Sequence, residues 1–153
     1  MKKIAWKTIS HFESPEQSPG FLLWQVSTGW RRQIETVLAT VGLTHPQFVL
    51  LASLGWLTQN AVDVTQAELA RHSNTDITMT SQILRVLEKR GYIERHQKEG
   101  NEKSKFPRVT PKGALLIERA IPLVESVDRD FFKNLGRNNM EKCVEILQKL
   151  ITT

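Results

Sequence analysis

With 153 residues, 40% hydrophobic and 24% charged, the chain can bury one sizeable core and has the composition of a soluble globular domain. Its single cysteine, Cys143, excludes an internal disulfide framework, and its longest nearly uninterrupted apolar run, residues 48–57, is about half of what spans a bilayer. The formal charge of +5 is local: from Arg71 to Lys112 ten Lys or Arg stand against five Asp or Glu, while the rest of the chain carries eleven of each sign. Such a patch suits a polyanionic partner.

Residues 1–19 read as a short, partly ordered arm punctuated by Ser14-Pro15 and Ser18-Pro19. Lys7 interrupts the apolar residues behind Lys2 and Lys3 before a signal-peptide core can form, so no membrane association and a cytoplasmic location are expected. A long helix is predicted from Gly20 to Val41, with Leu23, Val26, Trp30, Ile34, Val37 and Val41 at helical spacing. Phe21, Leu22, Trp24 and Leu38 widen its apolar surface, as in a helix that contacts more than one neighbour. Gly42 ends it. Thr44 and Gln47 then form a capping box with Pro46 in the first turn, opening a helix so apolar from Phe48 to Leu57 that it must be central. A polar loop follows over 58–64, with a short strand expected at Val62–Val64.

Residues 65–95 are the most informative. Thr65 and Glu68 make a second capping box, and Ala67, Leu69 and Ala70 give that short helix a small apolar face. His72 to Thr75 break the pattern, and Thr75 or Asp76 offers the next N-cap. In the following helix Ile77, Thr80, Ile83, Leu84 and Leu87 mark a buried face. Thr78, Ser81, Gln82, Arg85 and Lys89 share the opposite one, which is hydrogen-bonding, positive at its end and free of carboxylates. Gly91 stops the helix. A helix–turn–helix with this outward face has what reading the major groove requires: hydroxyl and amide groups for base edges and an arginine for guanine or phosphate. A solvated helical hairpin would look similar, but the charge excess falls on this segment.

Tyr92 to His96 alternates like a half-exposed strand, the charged run 97–105 follows, and Phe106–Val109 returns with Pro107 at an edge. Two strands with a basic tip, directly after a helix–turn–helix, make a wing in which Lys98, Lys103, Lys105 and Arg108 could meet phosphates or the minor groove. Thr110 and Pro111 begin a helix running to about Leu135, with Pro122 expected to kink it. Gly136 separates a last amphipathic helix, Asn138–Ile151, on whose apolar side Cys143 is expected to pack in the core.

Leu43-Thr44-x-x-Gln47-Phe48, Thr65-Gln66-x-Glu68-Leu69-Ala70, Leu87-Glu88-Lys89-Arg90-Gly91-Tyr92-Ile93-x-Arg95 and Val109-Thr110-x-x-Gly113 together resemble, over roughly residues 20–150, the MarR family of bacterial winged-helix transcription regulators. One departure stands out: where the family's wing carries Asp-x-Arg, this chain has Asn101 and Lys103, which implies a weaker wing contact. The resemblance implies a mainly α (α+β) fold: a winged helix-turn-helix DNA-binding lobe with a two-stranded wing, plus N- and C-terminal dimerisation helices. It would form a single domain over 1–153, divided into 1–42, 43–112 and 113–153. It implies a homodimer on a pseudo-palindromic operator in double-stranded DNA, with repression as the expected output.

Carried onto matching positions, the base-facing candidates are Thr78, Met79, Ser81, Gln82 and Arg85. Thr65 and Thr75 would face phosphates, and Arg95, Lys103, Lys105 and Arg108 would act from the wing. The resemblance also implies a small aromatic or anionic effector near Trp24, Trp30, Phe48 and Trp56, with Arg31, Arg32 and His45 as anion partners; an aromatic core with solvated arginines explains each residue singly. The scattered histidines His11, His45, His72 and His96 lack metal-ligand spacing, and no nucleophile–base pair or phosphate loop is present, so no cofactor, metal or enzymatic activity is expected. The competing reading is a winged-helix module that docks an acidic protein.

Overall fold

The computed structural model describes residues 3–98 and 101–151, with side chains throughout except at 98 and 101–105. Its helices are α1 (Trp6–Ile9), α2 (Pro19–Ala39), α3 (His45–Thr58), α4 (Gln66–His72), α5 (Ile77–Lys89), α6 (Pro111–Phe132) and α7 (Gly136–Ile151). Strands β1 (Ile93–Lys98) and β2 (Asn101–Val109) pair antiparallel between α5 and α6.

Helix α3 is central because the sequence leaves it almost no polar side. Leu50, Leu51 and Leu54 are fully buried, and the helix touches α2, α4, α5, α6 and β2. Its N-terminus is fixed by the expected capping box, in which Thr44 Oγ1 accepts from Gln47 N–H while Gln47 Oε1 accepts from Thr44 N–H. The same device holds α4, through Thr65 and Glu68. Around α3 the core is completed by Ile34 and Leu38, Leu69, Leu84 and Leu87, Ile93, and Leu116 with Ala120.

Helices α2 and α6 pack along one another, and Trp30 Nε1 donates to Asp128 Oδ1 at 2.7 Å across the seam. Only the C-terminal half of α2 reaches the core. Its first turns leave Phe21, Leu22, Leu23, Trp24 and Val26 exposed, and no residue of α7 is buried. The arm carries a short helix and a 3-10 turn (Pro15–Gln17), and Ser18, read from sequence as a breaker, is the N-cap of α2. Helix α6 continues through Pro122, ends at Phe132 and passes through a 3-10 turn into α7, which begins two residues earlier than expected.

Three expectations need correction. No strand forms at 62–64; among the described residues the sheet has two strands. Instead Asp63 meets the hairpin through its side chain, so the alternating Val-Asp-Val pattern marks a buried Val64 and a bonded Asp63 rather than a ladder. Conversely, much of the charged run 97–105 is strand, because β2 starts at Asn101. Cys143 is half-buried and lies outside the protomer core, to which α7 contributes no buried residue.

Candidate nucleic-acid interface

The N-cap of α5 is Asp76, whose Oδ1 accepts from Thr78 N–H at 2.8 Å and Met79 N–H at 3.0 Å. A carboxylate there also complements the positive end of the helix dipole. Thr75, the alternative cap, turns its hydroxyl to the Ser73 carbonyl. Thr80, Leu84 and Leu87 are fully buried and fix the rotation of the helix. Thr78, Met79, Gln82, Arg85, Val86 and Lys89 are therefore exposed along one side, with Ser81 half-buried beside them. Ile77 was expected in the core but, at the first position of the helix, is 47% exposed.

The far end of α5 closes by a Schellman motif. Gly91 at φ +76° donates to Glu88 O, and Tyr92 N–H donates to Leu87 O. Two cations brace this end: Lys112 Nζ donates to Arg90 O at 2.8 Å, and Lys112 and Arg90 lie about 5.0 and 4.9 Å from the Tyr92 ring centroid. Arg90 also donates to Gln47 Oε1 of α3. Arg90 and Lys112 thus serve the lobe's own packing, leaving Arg85 and Lys89 as the open charges of the face.

On the wing, Ile93 pairs with Val109 and Glu94 with Arg108. Arg95 is not an open cation: it is largely buried, with its Nε 3.3 Å from Glu88 Oε2. That pair also engages Glu88, which flanks the polar face of α5, as the cap bonds engage Asp76 at its start. Arg108 is more open, although its Nη2 donates to Asp63 Oδ1 at 2.7 Å. The side chains of Lys103 and Lys105, like that of Asn101, lie outside the described ones. The Thr65 hydroxyl is engaged with Glu68 in the α4 cap. The structure therefore brings Thr78, Met79, Ser81, Gln82 and Arg85 onto one surface, with Arg108 at the base of the hairpin; Thr65, Thr75 and Arg95 are held by neighbours within the lobe. Sequence reasoning missed Val86, which extends the face beside Met79, and Asp63, whose partners are 33 and 45 residues away.

The aromatic residues considered for an effector do not form one cluster. Trp24 and Trp56 are exposed, whereas Trp30 and Phe48 pack on the core. Trp30 meets His45 edge-on at 5.2 Å between ring centroids. Burial pulls the His45 pKa below its ordinary value of 6.5; Glu35 and Asp128 oppose this and Arg31 adds to it. The neutral ring is thus the favoured folded form. Its contribution to stability is complete above pH 6.5 and is lost as the pH falls through the lowered folded value. In His45→Gln, thermal stability should accordingly decline less steeply below pH 6.5 than in the unsubstituted protein; an equal decline would contradict this.

Residues 43–105 match the model of the MarR family. An uncharacterized HTH-type transcriptional regulator of Bacillus subtilis (strain 168), YdcH, is 42% identical over 123 residues, covering 80% of this chain and 84% of its own. The fold resembles that of a mutant MarR from E. coli complexed with operator DNA, with a TM-score of 0.78, 21% identity and coverage of 97% and 99% of the two chains. It also resembles the MarR family protein Rv2887 of Mycobacterium tuberculosis in complex with salicylic acid, with a TM-score of 0.66, 28% identity and coverage of 87% and 96%. Rv2887 is named a transcriptional repressor.

Proposed function

This chain belongs to the MarR family of transcriptional regulators, and from that premise we propose that it binds a pseudo-palindromic operator as a homodimer and represses transcription until a small aromatic or anionic molecule releases it. The observation that carries the reading is the open side of α5. It presents Thr78, Gln82, Arg85 and Lys89 with no free carboxylate, on a helix held at both ends and braced by the wing. Such a surface offers donors and acceptors to base edges and positive charge to phosphates.

The dimer is supported by apolar surface that one protomer leaves open on α2 and α7, including Leu23, Trp24, Leu147, Leu150 and Ile151. A two-fold axis through those helices would set two copies of α5 about one turn of B-DNA apart. Release by an effector follows the ligand-bound relative, and repression the name of that same protein. No described helix is long and apolar enough to cross a membrane.

Selection of bound fragments from genomic DNA at two salt concentrations tests the reading. The expected result is enrichment of sites with two half-sites about 10 base pairs apart, with affinity falling steeply as salt rises. A monomeric protein that ignores duplexes at low ionic strength would sink it, and would favour the acidic-protein partner.

A further inference from the structure

Asp63 lies in the loop between α3 and α4, and both of its chain neighbours to one side are fixed. Val64 is buried, and Thr65 caps α4. Its side chain is only 16% exposed. From this anchored position Oδ1 accepts from Arg108 Nη2 at 2.7 Å and lies 2.9 Å from His96 Nε2. His96 is on β1 and Arg108 on β2, so one carboxylate oxygen joins both strands of the wing to the helix–turn–helix.

The register explains how this is possible. Glu94 faces Arg108 and His96 faces Phe106, which puts Arg108 and His96 diagonally on one face of the hairpin. The other face turns Ile93 and Val109 toward the core. The root of the wing is therefore gripped from two sides: the core holds one face by apolar contact, and Asp63 holds the other by charge-assisted hydrogen bonds. Two strands alone make a marginal sheet, so their angle to the rest of the lobe depends on such outside contacts.

We propose that Asp63 is a positioning residue for the wing: it fixes the pitch of β1–β2 against α5, and so raises operator affinity although it brings a negative charge to a basic, DNA-facing lobe. The affinity part rests on the regulator reading above; the part concerning the wing's position does not.

Electrostatics and positioning predict opposite signs, which makes the idea testable. Removing a carboxylate from a polyanion-binding surface should, by charge alone, tighten binding to every duplex. If Asp63 positions the wing, Asp63→Ala should instead weaken operator binding about tenfold while random-sequence DNA is held as tightly as before or more tightly. Asp63→Asn, which keeps one acceptor, should fall between. Adding Asp63→Ala to Arg108→Gln should cost less than it does alone, because the two changes remove the same bond. Independently of DNA, amide exchange over residues 93–98 and 106–109 should quicken about tenfold in Asp63→Ala, with α3 and α5 unchanged.

Unchanged exchange in the hairpin overturns the proposal. So does faster exchange through the whole lobe, which would make Asp63 a general fold residue, and so does operator binding that stays equal or tightens. If the unsubstituted protein binds no duplex at all, the regulator reading fails and the exchange measurement alone decides this one.

Discussion

Gly113→Ala should destabilise the protein by about 3 kcal/mol, the upper end of what overpacking costs, and lower its melting temperature by roughly 10 °C. The reason is space. A Cβ at this position would overlap the Tyr92 carbonyl oxygen, and would stand 3.0 Å from the Tyr92 carbonyl carbon and 2.9 Å from Val109 Cγ1. Backbone cannot swing aside as a lysine tip can. The approach is close because Thr110 works twice: its Oγ1 accepts from Gly113 N–H to cap α6 and donates to Gly91 O at 2.7 Å. Gly20→Ala, in the first turn of α2 with nothing within 4 Å, is the matched control and should be neutral or slightly stabilising. Equal melting of the two variants in thermal denaturation would show that the first turn of α6 can move away from Tyr92 and Val109.

Arg85→Ala and Gln82→Ala should each weaken operator binding about 10- to 100-fold, the worth of a good bidentate base contact, without lowering thermal stability. Both side chains are exposed on α5, so truncating them opens no cavity. Gln82 carries no charge. Its loss should therefore leave the salt dependence of binding untouched, whereas Arg85→Ala will flatten it to the extent that Arg85 also meets a phosphate. Competition between operator and random-sequence duplexes reads the difference. Were both variants to lose the two kinds of DNA equally, α5 would be a phosphate-binding element and the bases would be read elsewhere.

What the sequence made legible was local. The capping boxes at Thr44–Gln47 and Thr65–Glu68 formed as expected because both bonds of each close within three residues. The outward face of α5 followed from helical periodicity once Thr80, Leu84 and Leu87 were recognised as its inner stripe. Periodicity says which side of a helix is apolar, but not how far along it the covering elements reach; hence Ile77 was expected to be buried and is not. Nor does it say which molecule covers a stripe, which is why Cys143 was expected in a core that α7 does not join.

The partners of Asp63 were illegible for a different reason. Joining it to His96 and Arg108 requires knowing that the loop before α4 folds over the hairpin, and no spacing rule spans 33 or 45 residues. The same holds for Arg95, whose counter-ion Glu88 sits on the preceding helix. Both arginines read in sequence as free wing cations; in the fold each is first a fastening.

The knot around Tyr92 has one more consequence. Its N–H closes α5, its carbonyl accepts from Thr110 N–H, and both Arg90 and Lys112 approach its ring, so α5, the root of the hairpin and the start of α6 meet at one residue. In the proposed regulator, a displacement of the start of α6 would therefore reach α5 and the root of the hairpin together through this one residue.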